Sequence, residues 1–140
     1  MDKILWSESL EVGITLIDKQ HREWIEHYNS VVEAVSANEG ASQVVKTLGY
    51  LIDYTDTHFK TEEKVMQHNI YPDYEDHKRQ HDKLVKTLSS LVSEYRDEGP
   101  TNIILNSMEI FLNNWLLKHI QEVDSKFIDF IKENKIEVSE

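Results

Sequence analysis

The chain has 140 residues, no cysteine and a formal charge of −11, from 26 acidic and 15 basic side chains. That length suits one domain able to bury roughly two-thirds of the surface its unfolded chain exposes, and zero cysteine excludes disulfides, thiolate metal sites and thiol catalysis. The negative charge repels phosphate backbones and anionic lipid, "MDKILWSESL" has no signal-peptide pattern, and no apolar run is uninterrupted enough to span a bilayer. Nucleic acid and membrane insertion are therefore not expected, and the cytoplasm is the expected location.

Residues 1–17 are too short and irregular for a helix and read as an N-terminal extended arm. From Asp18, Trp24, Ile25, Tyr28, Val31, Val32 and Val35 recur at three-four spacing and predict a first helix, ended by Gly40. Val44, Leu48, Leu51, Thr55, Phe59 and Met66 carry a second stripe to "HNIYP". Pro72 is expected to open a third helix, with Asp73, Glu75 and Asp76 at its positive end and a stripe from Leu84 through Leu88 and Leu91 to Tyr95. Pro100 is expected to open a fourth, whose stripe runs from Ile103 and Ile104 through Leu112, Trp115, Leu116 and Ile120 to Phe127, Ile128 and Ile131. Four helices with short connections predict an all-α, up-down-up-down antiparallel four-helix bundle over 18–133, with a tail at 134–140, in a single domain spanning 1–140.

The histidines fall on that bundle in a pattern. His58 and Glu62 are four apart, as are His77 and His81, so each pair projects from one helix face. Each such pair is common by chance and taken singly reads as a solvated surface histidine. Their placement is what distinguishes them. His21 starts helix one, His58 and Glu62 lie toward the end of helix two, His77 and His81 near the start of helix three, and His119 with Asp124 in the second half of helix four. In an up-down-up-down bundle these places share one end, beside expected core residues such as Trp24, Leu84 and Leu116. Buried imidazoles and carboxylates are costly unless paired or bound to metal, and the set points to metal. His27 and His68 fall outside the pattern and are expected at the surface.

The segments "WSESLEVGITLIDKQH", "HFKTE", "YPDYEDHKRQH" and "HIQEVD" resemble the hemerythrin family along essentially the whole chain, and most closely its single-domain bacterial branch. The resemblance implies two iron ions per chain, bridged by an oxo or hydroxo group, that bind dioxygen reversibly for transport, storage or delivery. It implies His77, His81 and His119 on one iron, His21 and His58 on the other, and Glu62 and Asp124 as bridges. If both irons are six-coordinate, five imidazoles, two bridging carboxylates and one bridging oxygen leave one position open, on the iron with two imidazoles. Imidazole and carboxylate accept zinc, cobalt and manganese as well, so iron rests on the resemblance. The alternatives are an O2- or NO-responsive sensor acting through a separate partner, and a di-iron oxidase or peroxidase; Glu-x-x-His spacing, common in ferritin-like oxidases, occurs nowhere in the chain. The expected state is a binding protein and not an enzyme, a monomer, whose oxygen-accepting or signalling partner is unknown.

Two further expectations follow from counting. His119 and Asp124 are five apart, about 140° on a regular α-helix, so a π-type turn between Trp115 and Asp124 is favoured over side chains reaching in from opposite flanks. The end of helix four should overhang the bundle, with the arm covering Phe127, Ile128 and Ile131 through Trp6, Val12, Ile14 and Ile17.

Overall fold

The computed structural model describes residues 2–139; Met1 and Glu140, which the sequence assigns to arm and tail, lie outside the described residues. Three long helices come first: α1 (Thr15–Ser36), α2 (Ala41–His68) and α3 (Tyr74–Glu98). A fourth rod over 102–133 consists of α4 (Asn102–Met108), a π-helical stretch (Glu109–Asn114), α5 (Trp115–Lys118), a second π-helical stretch (His119–Val123) and α6 (Asp124–Glu133). Its junction residues Glu109, Trp115, His119 and Asp124 all keep right-handed helical dihedrals, so the rod is continuous. α1 packs on α2, α2 on α3 and α3 on the rod, while Asn113 of the rod donates to the Tyr28 hydroxyl of α1 at 3.1 Å and closes the ring. The result is an all-α four-helix bundle in which sequential neighbours run antiparallel.

Caps, more than prolines, set the helix ends. α1 starts at Thr15, three residues before the expected Asp18, because the Asp18 carboxylate turns back to accept from the N–H groups of Val12 (2.8 Å) and Gly13 (3.1 Å). Gly13 has φ +85, and a side chain there would come within 3.0 Å of Lys132 Nζ. Gly40 caps the start of α2 and does not end α1, which stops at Ser36 ahead of a left-handed Asn38. Pro72 lies in the turn before Tyr74. Pro100 likewise precedes the helix, since the Thr101 hydroxyl accepts from the Ile104 N–H at 3.2 Å and caps α4. α2 closes with Tyr71 N–H donating to Met66 O at 2.9 Å, around Ile70 at φ 53.

Two apolar clusters lie on either side of the histidine layer. The larger is built around Trp24, Tyr28, Leu48, Leu51, Leu88 and Ile104; the smaller holds Ile17, Met66, Tyr71, Phe127, Ile128 and Ile131. Val12 and Ile14 of the arm, with Ile136 and Val138 of the tail, cover the smaller cluster, as does Ile17, which belongs to the first turn of α1 and not to the arm. Trp6 departs from the expectation. It packs on the larger cluster with the Arg22 guanidinium 4.8 Å above its ring, and the arm's buried anchors are Ile4 and Leu10. With α1 starting at Thr15, six residues before His21, the residues just ahead of it, Val12 and Ile14, lie over the end of the bundle, while Ile4, Trp6 and Leu10 run back along it against the larger cluster. Asn29 fastens it, accepting from the Ile4 N–H and donating to the Ile4 carbonyl, both at 2.8 Å.

Candidate metal centre

The inward line of the rod follows an unusual rule. Ile104, Met108, Leu112, Leu116, Ile120, Asp124 and Ile128 are all buried at a strict four-residue spacing. On a regular helix each such step overshoots by about 40°, so the line would wind well over half a turn around the rod before reaching Ile128. The two π-helical stretches take up that excess, since each wide turn adds a residue without adding rotation. The second, His119–Val123, is the π-type turn expected from the five-residue gap, and it brings His119 and Asp124 onto one face. The first, Glu109–Asn114, has no five-residue gap between ligands to mark it, although the four-residue repeat signals both.

All seven sequence-selected side chains meet in the layer between the two apolar clusters, and all are buried. α1 supplies His21, α2 supplies His58 and Glu62, α3 supplies His77 and His81, and the rod supplies His119 and Asp124. The donor atoms form two groups, each within 4.8 Å: Glu62, His77, His81, His119 and Asp124 in one, and His21, His58, Glu62 and Asp124 in the other. Both carboxylates belong to both groups. Asp124 Oδ2 lies 2.9 Å from His21 Nε2 and 3.7 Å from His58 Nε2, while Oδ1 lies 3.0 Å from His119 Nε2 and 3.2 Å from His77 Nε2. Glu62 Oε1 stands 3.4–3.7 Å from His81, His77 and His58. Despite these approaches, both Glu62 oxygens, Asp124 Oδ1, His58 Nε2 and His77 Nε2 have no hydrogen-bond partner. Buried polar atoms of a fold are nearly always paired, so lone pairs that converge without bonding one another fit a shared cation. His27, half-buried and stacked on Tyr54 at 5.1 Å, and the exposed His68 both stay outside the layer, as expected.

Electrostatics separates the two carboxyls of the layer. Burial pushes Asp124 up, but His119, His21 and His58 around it bring it well below the usual carboxylate range. Glu62 has no comparably close partner, and burial together with the Asp124 charge raises it well above that range. Burial lowers His58 to about 4 and also lowers His81 and His119. His77 is the exception: burial pulls it down, yet Asp124 and Glu62 carry it up to about 9. Three imidazoles are thus held in the neutral form that ligates metal.

Behind the imidazoles stand Gln20, Thr61 and Glu63, which the sequence did not single out, together with Phe59, Trp24 and Trp115 of the expected apolar stripes. His58 Nδ1–H donates to Gln20 Oε1 at 2.9 Å, and Gln20 Nε2 donates to Thr61 Oγ1 at 3.1 Å. His81 Nδ1–H donates to Glu63 Oε2 at 2.8 Å. The Phe59 ring lies parallel to His81 at 3.6 Å and the half-buried Trp115 stacks on His119 at 4.5 Å. The Trp24 ring sits 5.0 Å from that of His58, steered by its Nε1–H bond to Thr55 Oγ1 at 2.8 Å. Most of these contacts cross between helices, so no short-range spacing announced them.

Residues 12–131 match the family model described as the hemerythrin HHE cation binding domain. The chain is 33% identical over 133 residues to a bacteriohemerythrin of Stenotrophomonas maltophilia, covering 94% of this chain and 84% of that protein. It is 27% identical over 126 residues to a myohemerythrin of Sipunculus nudus, covering 90% and 92%. A crystal structure of a hemerythrin variant superposes with a TM-score of 0.77 at 29% identity, covering 91% of this chain and 95% of that one. The chain belongs to the hemerythrin family.

Proposed function

We propose that this chain binds dioxygen reversibly at a pair of iron ions, with His77, His81 and His119 on one, His21 and His58 on the other, and Glu62 and Asp124 shared between them. The observation that carries the reading is the overlap of the two donor groups in both carboxylates, the arrangement two neighbouring cations require. Iron is chosen over zinc, cobalt or manganese on family membership, since the donor types accept all four. When bound, the pair supplies two electrons and an open coordination position for a small exogenous ligand.

The chain's own residues do the rest. Neutral imidazoles hold the ions, Gln20 and Glu63 fix the ring orientations of His58 and His81, and apolar neighbours exclude water and competing anions. The space beside Trp24, next to the donor layer, has a volume of only about 10 Å³ and is lined by Leu51, Leu84, Leu88, Leu112 and Leu116 among others, so it offers a water few polar partners. Every donor comes from one chain, so a monomer suffices, and binding itself needs no oxygen-accepting or signalling protein. We read the chain as one functional unit that binds rather than turns over, located in the cytoplasm; among the described residues no helix is long and apolar enough to cross a membrane.

Repeated cycles of oxygen and argon over the reduced, iron-loaded protein test this. A carrier returns to its starting spectrum each time; a chain left di-ferric after one exposure is an oxidase and refutes the proposal.

A further inference from the structure

The five imidazoles of the centre are not supported equally. His21 Nδ1 and His119 Nδ1 are buried with no hydrogen-bond partner, and His58 Nδ1 meets a neutral amide oxygen on Gln20. His81 alone is backed by a carboxylate, with Glu63 Oε2 at 2.8 Å. That carboxylate is itself held. Lys78 Nζ stands 3.8 Å from Glu63 Oε1 and is anchored to Asp82 at 3.1 Å. Because a carboxylate oxygen only accepts, the bond places the proton of His81 on Nδ1 and leaves the Nε2 lone pair free. Nε2 then faces the centre, 3.1 Å from His119 Nε2 and 3.4 Å from Glu62 Oε1. Phe59, parallel to the ring at 3.6 Å, fixes its plane, while the Glu63 bond fixes its rotation within that plane. His119 is also stacked, on Trp115, but its carboxylate contact, Asp124, is made by Nε2 and its Nδ1 has no partner; only His81 combines a stacked ring with a carboxylate on the nitrogen facing away from the centre.

We infer that Glu63 is a positioning residue that presents His81 Nε2 to the cation shared with His77 and His119, and so makes that position the tighter of the two. This rests on the two-cation reading above. A carboxylate behind a ligating imidazole typically contributes 10–100-fold in metal affinity by fixing tautomer and orientation. Gln20 gives His58 the orientation without the charge, which leaves the two positions unequal.

Cobalt(II) titration of the metal-free full chain, read by its visible absorption, tests the inference independently of oxygen binding. Wild type should take up two equivalents in resolved steps. Glu63→Ala should weaken the tighter step about 10–100-fold and leave the other within a factor of about three. Glu63→Gln keeps an oxygen facing Nδ1 and should recover at least half of the lost affinity on a logarithmic scale. Both metal-free variants should melt with the metal-free wild type. Glu63→Ala binding both equivalents as tightly as wild type overturns the inference alone, as does a loss in Glu63→Gln equal to that in Glu63→Ala, or one that tracks a lower melting temperature. Wild type binding no cobalt overturns the two-cation reading and this inference together.

Discussion

Thr55→Val should cost about 2 kcal/mol although it changes neither the size nor the branching of the side chain. The Trp24 indole N–H donates to Thr55 Oγ1 at 2.8 Å, and the Thr55 hydroxyl donates to Leu51 O at 2.7 Å. Trp24 is 2% exposed and Thr55 is fully buried, so no water can take over when the hydroxyl is lost. Valine fills the same space but cannot accept, and an unsatisfied buried donor costs about 1–3 kcal/mol. At roughly 2 cal/mol/K of unfolding entropy per residue, a chain of this length loses about 7 °C of Tm for 2 kcal/mol. Thr57→Val is the matched control. Its hydroxyl makes the same bond to a carbonyl one turn back, Asp53 O at 3.1 Å, but it is exposed, and its loss should stay within about 0.5 kcal/mol. Trp24→Phe removes the donor, so the double variant should fall short of the summed single losses by about 1 kcal/mol or more. Urea unfolding of the wild type and the four variants measures these differences. If Thr55→Val unfolds with the Thr57→Val control, the indole bond contributes nothing and the reasoning fails.

Ile70 is a β-branched residue at φ 53, and its side chain is 85% exposed, so it loses little packing when removed. Relief of about 1–2 kcal/mol of left-handed strain, less about 0.5–1 kcal/mol of glycine entropy, predicts that Ile70→Gly raises the unfolding free energy by about 0.5–1 kcal/mol; a urea midpoint below that of wild type would contradict it. His77→Ala should reduce bound iron from two ions toward one and change the visible spectrum, whereas His68→Ala, altering an exposed side chain, should leave both unchanged; equal damage from the two would show that the histidines are misassigned. In chelator-treated protein, stability should peak near pH 6.5. Below it the fold opposes protonation of His58, whose folded value of about 4 lies under the unfolded 6.5, so about 3 kcal/mol present above pH 6.5 is lost as pH falls through 4. His119 and His81 act in the same sense as His58, and Glu62, whose folded value is raised, acts in the opposite one. Above the peak, the contribution of His77, fully present below 6.5, is lost as pH rises through about 9. Urea midpoints at about pH 4.5, 6.5 and 8.5 that rise or fall monotonically would refute this.

Helical periodicity is a local property, and whatever depends on it could be read along the chain. A four-residue step returns a side chain nearly to the same face, so His58/Glu62 and His77/His81 had to project as pairs, and the five-residue step from His119 to Asp124 had to distort its helix. The strict four-residue repeat from Ile104 to Ile128 carries the same message for the stretch at Glu109–Asn114, where no ligand pair marks it. The placement of seven donors at one end of the bundle was likewise legible, because short connections fix the direction of each helix. What periodicity does not contain is the rotation and depth of one helix against another. Glu63 and Gln20 differ from any other surface-compatible residue beside a ligand only because α3 brings His81 within 2.8 Å of the first and α2 brings His58 within 2.9 Å of the second. The arm shows the same limit: Val12 and Ile14 cover the smaller cluster, but that Trp6 packs on the larger one is set by contacts with other helices that no spacing within the arm contains. Contacts between residues 18 or 38 positions apart exist only once the packing angle between two helices is set, and that angle is decided by all the side chains between them at once.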